Sequence, residues 1–236
     1  MVVNMKKAER GSAQERGANG CRDRELVRLV GRHGAMTVEQ VMRAMGCGRT
    51  ITYERLARCI EGGLIERTSI PGVSPSILHA TRQGLSYARL GLPVVGISPA
   101  SIAHLLRCTS VAVLLEGKLG PGRLLTEREI VLEEQIEDRP IASVSVGVFR
   151  DRPRMHRADI AFQGEGGLVA VEVELTPKSP ARLRRIIEAW AGEVGAGRLS
   201  DVHYLCEPES QTWRAVERAI AKAAAKGGVH LLEVPG

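Results

Sequence analysis

Aromatic residues are scarce: two Phe, two Trp and three Tyr make up 3% of the 236 residues. A single-strand nucleic-acid surface built from stacked rings is therefore disfavoured, and an oligonucleotide-binding barrel with it. The core must come from Leu, Val, Ile and Ala, and a hydrophobic content of 44% is enough to fill one large domain or two small ones. The five cysteines, Cys21, Cys47, Cys59, Cys108 and Cys206, are odd in number and show no zinc-type spacing. They read as reduced thiols. No run approaches the roughly 18 consecutive apolar residues of a membrane span, and the polar N-terminus lacks a secretion-type apolar stretch. The expectation is a cytoplasmic protein without membrane association.

Positive charge is present but unevenly placed. The formal net charge is +6, yet residues 1–100 carry 15 Lys/Arg against 8 Asp/Glu, whereas residues 101–236 carry 18 against 19. A polyanion partner is expected for the first part, since Lys and Arg that neutralise phosphates release counterions and supply sequence-independent affinity.

Residues 1–20 show no apolar periodicity and read as a disordered basic tail. Three short helices follow. The first runs over 22–33, with Leu26, Leu29 and Val30 inward and Gly34 as its stop. Thr37 caps the second, which carries Glu39 and Gln40 in its first turn and ends at Gly46. The third runs over 48–60, with Ile51, Leu56 and Ile60 inward and Arg49, Thr50, Thr52, Tyr53, Arg55 and Arg58 outward. Two short strands then flank Pro71-Gly72-Val73-Ser74-Pro75, and Thr81-Arg82-Gln83-Gly84 starts a closing helix.

This order resembles a winged helix-turn-helix over residues 22–91. Gly62-Gly63-Leu64-Ile65-Glu66 before the wing and Thr81-Arg82-Gln83-Gly84 after it are similar to what many bacterial domains of this kind carry. The resemblance implies that the third helix enters the major groove of duplex DNA and that the wing reaches a neighbouring backbone. Arg49, Thr50, Thr52, Tyr53 and Arg55 are the expected DNA face, with Arg67 or His79 on the wing. The alternative use of such a fold is as a dimerisation or docking module.

A Gly/Pro-containing linker over 93–98 leads to a second domain, 98–236. The pattern there predicts a helix from Ser98-Pro99 to about Leu115, a second from Thr126 to near Asp138, and strands at 141–149, 156–163 and 168–175. A helix follows Pro180, then a strand at 202–206, an Ala-rich helix at 212–226 and a last strand at 229–234. The expected fold class is α/β, a winged helix followed by an α/β domain.

Within Leu168-Val169-Ala170-Val171-Glu172-Val173-Glu174-Leu175, strand alternation puts Glu172 and Glu174 on one face and Val169, Val171, Val173 and Leu175 on the other. Paired carboxylates suggest a site, because burying them requires a cation, a proton or a base. A solvated sheet face, or a surface ion-pair network with Arg157 and Lys178, is the plainer reading. His203 and His230, in strands expected to be buried, read as structural.

With Asp159 in the preceding strand, the order resembles the restriction-endonuclease-like fold, the Asp…Glu-x-Lys nuclease superfamily. The resemblance makes Asp159 and Glu172 ligands of Mg²⁺ or Mn²⁺ and places Glu174 and Lys178 in the catalytic set, with Lys178 assisting the attacking water. Glu174 stands where the superfamily has its lysine, and the nearest base, Lys178, lies beyond the turn. That departure suits a site that has lost cleavage as well as one with a migrated lysine. Glu127 or Glu129 would supply a further ligand, and His156 would orient a ligand or a phosphate.

Residues 22–235 as a whole resemble the replication-relaxation family, through the winged helix, His156-Arg157-Ala158-Asp159, Val169 to Glu174, and Pro177-Lys178-Ser179 followed by Arg182, Leu183 and Arg185. The resemblance implies a DNA-binding protein of a plasmid or other mobile element, acting in replication, mobilisation or transcriptional control, with double-stranded DNA as partner. A homodimer and relaxase or replication proteins are further expected partners. The alternative is an active Mg²⁺- or Mn²⁺-dependent endonuclease.

Overall fold

The computed structural model of the chain describes residues 22–71, 73–120, 122–223 and 227–235. The tail expected over 1–20, Cys21, Gly72 of the wing loop and the end of the Ala-rich helix at 224–226 lie outside them. The chain divides into two compact units, 1–102 and 103–236.

The first unit is winged-helix-like. Helix α1 spans 22–33, α2 Val38–Met45 and α3 Arg49–Glu61. Thr37 caps α2 through a reciprocal box with Gln40, and Gly46 ends it in the left-handed region at φ 59°. Strands β1 (Ile65–Ile70) and β2 (Val73–Ala80) pair antiparallel. Met36 adds a third short rung, exchanging backbone hydrogen bonds with Leu78 at 2.9 and 2.8 Å. Helix α4 (Arg82–Tyr87) closes the unit. Its core is built mainly from aliphatic residues, among them Leu26, Val27, Val30, Val41, Leu56, Ile65, Ile77 and Leu85.

In the second unit, α5 (Pro99–Leu119, beginning in the first unit), β3 (Leu124–Thr126) and α6 (Glu127–Glu137) come first. Strands β4 (Ser143–Phe149) and β5 (Arg152–Arg157) follow, then β6 (Ile160–Gln163), β7 (Leu168–Glu174), α7 (Pro180–Gly195), β8 (Asp201–Cys206), α8 (Gln211–Ala223) and β9 (Val229–Glu233). The main sheet has the order β3-β6-β7-β8-β9; β6 runs antiparallel to both its neighbours, β3 and β7, and β8 and β9 run parallel to β7. One face packs Val171, Val173 and Leu205 against Val111 and Ala112 of α5. The other packs Ala170, Val202 and Tyr204 against Leu183, Ile186, Ile187 and Trp190 of α7 and Val216 of α8.

Several expectations change. The strand expected over 156–163 is two: β5 pairs with β4 in a separate two-stranded sheet, and β6 joins the main one. The chain changes sheets at Ala158-Asp159, so Asp159 sits at a corner. Strand β3 was not anticipated, being only three residues long. Leu175, expected in the core, is exposed, as is His230, which pairs with Asp201 at 2.9 Å. By length and composition, α5 passes for a membrane span, although no long uninterrupted apolar run was expected. Val111 and Ala112 are buried against the sheet, and 28% of that stretch is buried as a whole.

Candidate functional site

Helix α3 is rotated from its expected orientation. Thr52 and Arg55, expected outward, are buried, whereas Ile51, expected inward, is 48% exposed. The Thr52 hydroxyl donates to the Gly48 carbonyl at 3.0 Å, tying it to the first turn. Arg58 is outward and forms a two-pronged pair with Asp23 at 3.1 and 3.2 Å. Arg49, Thr50 and Tyr53 remain on the exposed face. His79, considered for the wing surface, is buried, and its Nε2 lies 2.9 Å from the Thr68 hydroxyl across the hairpin. Arg67 is exposed. Its guanidinium lies 5.9 Å from the Tyr53 ring, and that of Arg49 lies 5.6 Å from the same ring. One tyrosine thus joins the third helix and the wing strand in a single cationic surface.

In the second unit β7 is central, so neither of its faces meets water. Glu172 and Glu174 are 2% and 5% exposed, which replaces the solvated-face reading. Glu172 faces α7: Trp190 Nε1 donates to its Oε1 at 3.0 Å, and His156 Nε2 lies 2.9 Å from the same oxygen without the alignment of a hydrogen bond. Tyr204 stands opposite it on β8. Burial pushes the Glu172 carboxyl above its ordinary range, with His156 opposing the shift. Glu174 is bonded by Lys178 one turn beyond the strand, and burial lowers the Lys178 ammonium. The lysine therefore reaches back toward the strand and pairs with Glu174.

Asp159 does different work. Strand β6 begins at Ile160, opposite Val171, so β7 continues past it. Asp159 Oδ2 accepts the Val173 N–H at 2.7 Å, and its Oδ1 accepts from His104 Nε2 of α5 at 2.9 Å. Cys108 Sγ, one turn along α5, lies 3.4 Å from the same nitrogen. Among the described residues, His104, Cys108 and Asp159 form a group whose ligand atoms all lie within 4.8 Å of one another. The hydrogen bond to Asp159 raises the His104 imidazole, while burial pushes the Cys108 thiol well up. Burial, then the field of Asp159, raises Glu127, and His104 opposes that shift. Glu129 is instead engaged in the capping box with Thr126. Arg157 pairs with Glu134 at 3.3 Å.

The chain matches no known family model, no curated protein and no solved structure.

An imidazole, a carboxylate and a cysteine sulfur could hold a divalent cation, the cysteine ligating as its thiolate. As a mixed set they suit a first-row transition ion from Mn²⁺ to Zn²⁺ better than Mg²⁺, which takes oxygen ligands in a strict octahedron. His104, Cys108 and Trp190 were not singled out as site residues from the sequence. The i, i+4 spacing of His104 and Cys108 was visible, but their partner Asp159 is 55 positions from His104 along the chain.

Proposed function

We propose that this is a DNA-binding protein of a plasmid or other mobile element, acting in replication, mobilisation or transcriptional control. The observation that carries the reading is the shared surface of Arg49, Tyr53 and Arg67. It joins the exposed face of α3 to the wing, where a winged helix-turn-helix contacts duplex DNA. Arg49, Thr50, Tyr53 and Arg67 make the contact, while Thr52, Arg55 and His79 hold helix and wing from behind. The sequence motifs that resemble the replication-relaxation family, although no family model matches the chain, suggest the same role, with a cytoplasmic location, a homodimer and relaxase or replication proteins as partners. Titration of a labelled duplex tests it. Arg49→Ala and Arg67→Ala should each weaken binding and each reduce the slope of log K against log salt by about 1. Unchanged affinity and slope in both would remove the assignment.

A second reading is a Mn²⁺- or Mg²⁺-dependent endonuclease, with Asp159 and Glu172 toward the metal and Glu174 and Lys178 completing the catalytic set. It is favoured by the cluster of His104 and Cys108 on Asp159, and by the buried Glu172 one strand away. Nicking of plasmid DNA in Mn²⁺ that disappears in both Asp159→Ala and Glu172→Ala supports it. Nicking that survives in both belongs to a contaminant.

A further inference from the structure

The β4–β5 hairpin stands apart from the main sheet. Its base is fixed in the core by Val144 and Val146, yet every residue from Gly147 to Arg154 is exposed. Val148 is 73% and Phe149 64% exposed, in a chain with only two phenylalanines. Adjacent large apolar side chains at a hairpin tip are unusual for a surface with no partner. The turn is made by Arg150 and Asp151, both left-handed at φ 49° and 59°. Asn-Gly or Asp-Gly would adopt that conformation at less cost, so Arg150 is present there against local preference.

The charge is strongly positive. Arg150, Arg152 and Arg154 surround the tip against Asp151 alone, and the Arg150 guanidinium lies 5.3 Å from the Phe149 ring. Among the described residues, Arg150, Arg152, Arg154 and Arg182 have no acidic partner. A small hollow lined by Arg154, His156, Arg182 and Arg185 continues from the hairpin to α7, and His156 is the residue beside Glu172. The net charge near zero of residues 101–236 conceals this stripe, because the acids lie elsewhere.

We propose that the β4–β5 hairpin is a second duplex-DNA contact, inserted as a two-stranded ribbon in the major groove. Arg152 and Arg154 lie on flanking phosphates and Phe149 lies against base edges. The major groove admits such a ribbon and offers thymine methyls to an apolar side chain, while unpaired guanidinium groups complement phosphate. The inference rests on the DNA-binding reading above. The test is duplex titration of the full chain over a salt series, with the double variant Arg152→Ala/Arg154→Ala, Phe149→Ala, and Arg49→Ala as reference. The double variant should lose on the order of tenfold in affinity and reduce the salt slope by about 2. Phe149→Ala should weaken binding with the slope unchanged, since no ion is released. All these side chains are exposed, and matching thermal melts would show that the fold is intact.

If both hairpin variants bind like the parent while Arg49→Ala binds more weakly, the hairpin proposal falls and the winged-helix reading stands. A parent chain that binds no duplex overturns both. If Phe149→Ala changes sedimentation from an associated to a monomeric state with duplex affinity unchanged, the tip is a protein contact and the proposal is overturned.

Discussion

Glu172 is a carboxylate enclosed by Trp190, His156 and Tyr204, and its acidity is set mainly by lost hydration. Because its folded pKa lies above the ordinary 4.5, the folded state holds a proton more tightly than the unfolded chain. The sign follows from linkage: stability is greatest on the acid side and falls as pH rises from 4.5 through the raised value. Glu172→Gln keeps an acceptor for Trp190 and removes the ionisation, so its melting temperature should decline less over that range. Parallel pH profiles of melting temperature for the two proteins would show that the carboxylate stays ionised at no cost. At Asp159 the same chemical group is tied to the Val173 N–H and to His104, and its geometry is fixed before any ligand arrives.

Among the elements, the junction of wing and closing helix shows most directly how local sequence is used. Thr81 accepts from the Gly84 N–H at 2.9 Å, capping α4, and donates to the Gly63 carbonyl at 2.7 Å. Gly84 packs so closely that a Cβ there would collide with the Leu64 carbonyl oxygen. Gly84→Ala should therefore destabilise the first unit by on the order of 3 kcal/mol, and Thr81→Ala by about 1 kcal/mol, in chemical denaturation. Equal midpoints for Gly84→Ala and the parent would mean that the backbone yields. The phrases Gly62 to Glu66 and Thr81 to Gly84, singled out in sequence, are thus two sides of one contact. The orientation of α3 was less legible. Its weak amphipathicity, with Arg and Thr among the aliphatic residues, left rotation to packing, which buried Thr52 and Arg55 and exposed Ile51.

At the scale of the molecule, two compact units divide near residue 102. A fragment covering residues 1–97 should fold and bind duplex through the winged helix. Its salt slope should be shallower than that of the full chain by the phosphates assigned to the hairpin. Identical slopes would confine all DNA contact to the first unit. Here the near-zero net charge of residues 101–236 was a poor guide, because counting charge along the chain averages an arginine stripe with acids that fold elsewhere.

The caps at Thr37, Thr81 and Thr126, the pairing of Glu172 with Glu174 on one face of β7, and the order of helices and strands apart from β3 and the split of β5 from β6 were determined by the sequence itself. Each depends on contacts within a few residues, where periodicity and turn chemistry act. Only the tertiary structure decided that this face is buried beneath Trp190, that the chain changes sheets at Asp159, and that His104 and Cys108 meet that aspartate. Those outcomes depend on which helix covers which face of the sheet, and residues tens of positions apart become neighbours only when the layers close.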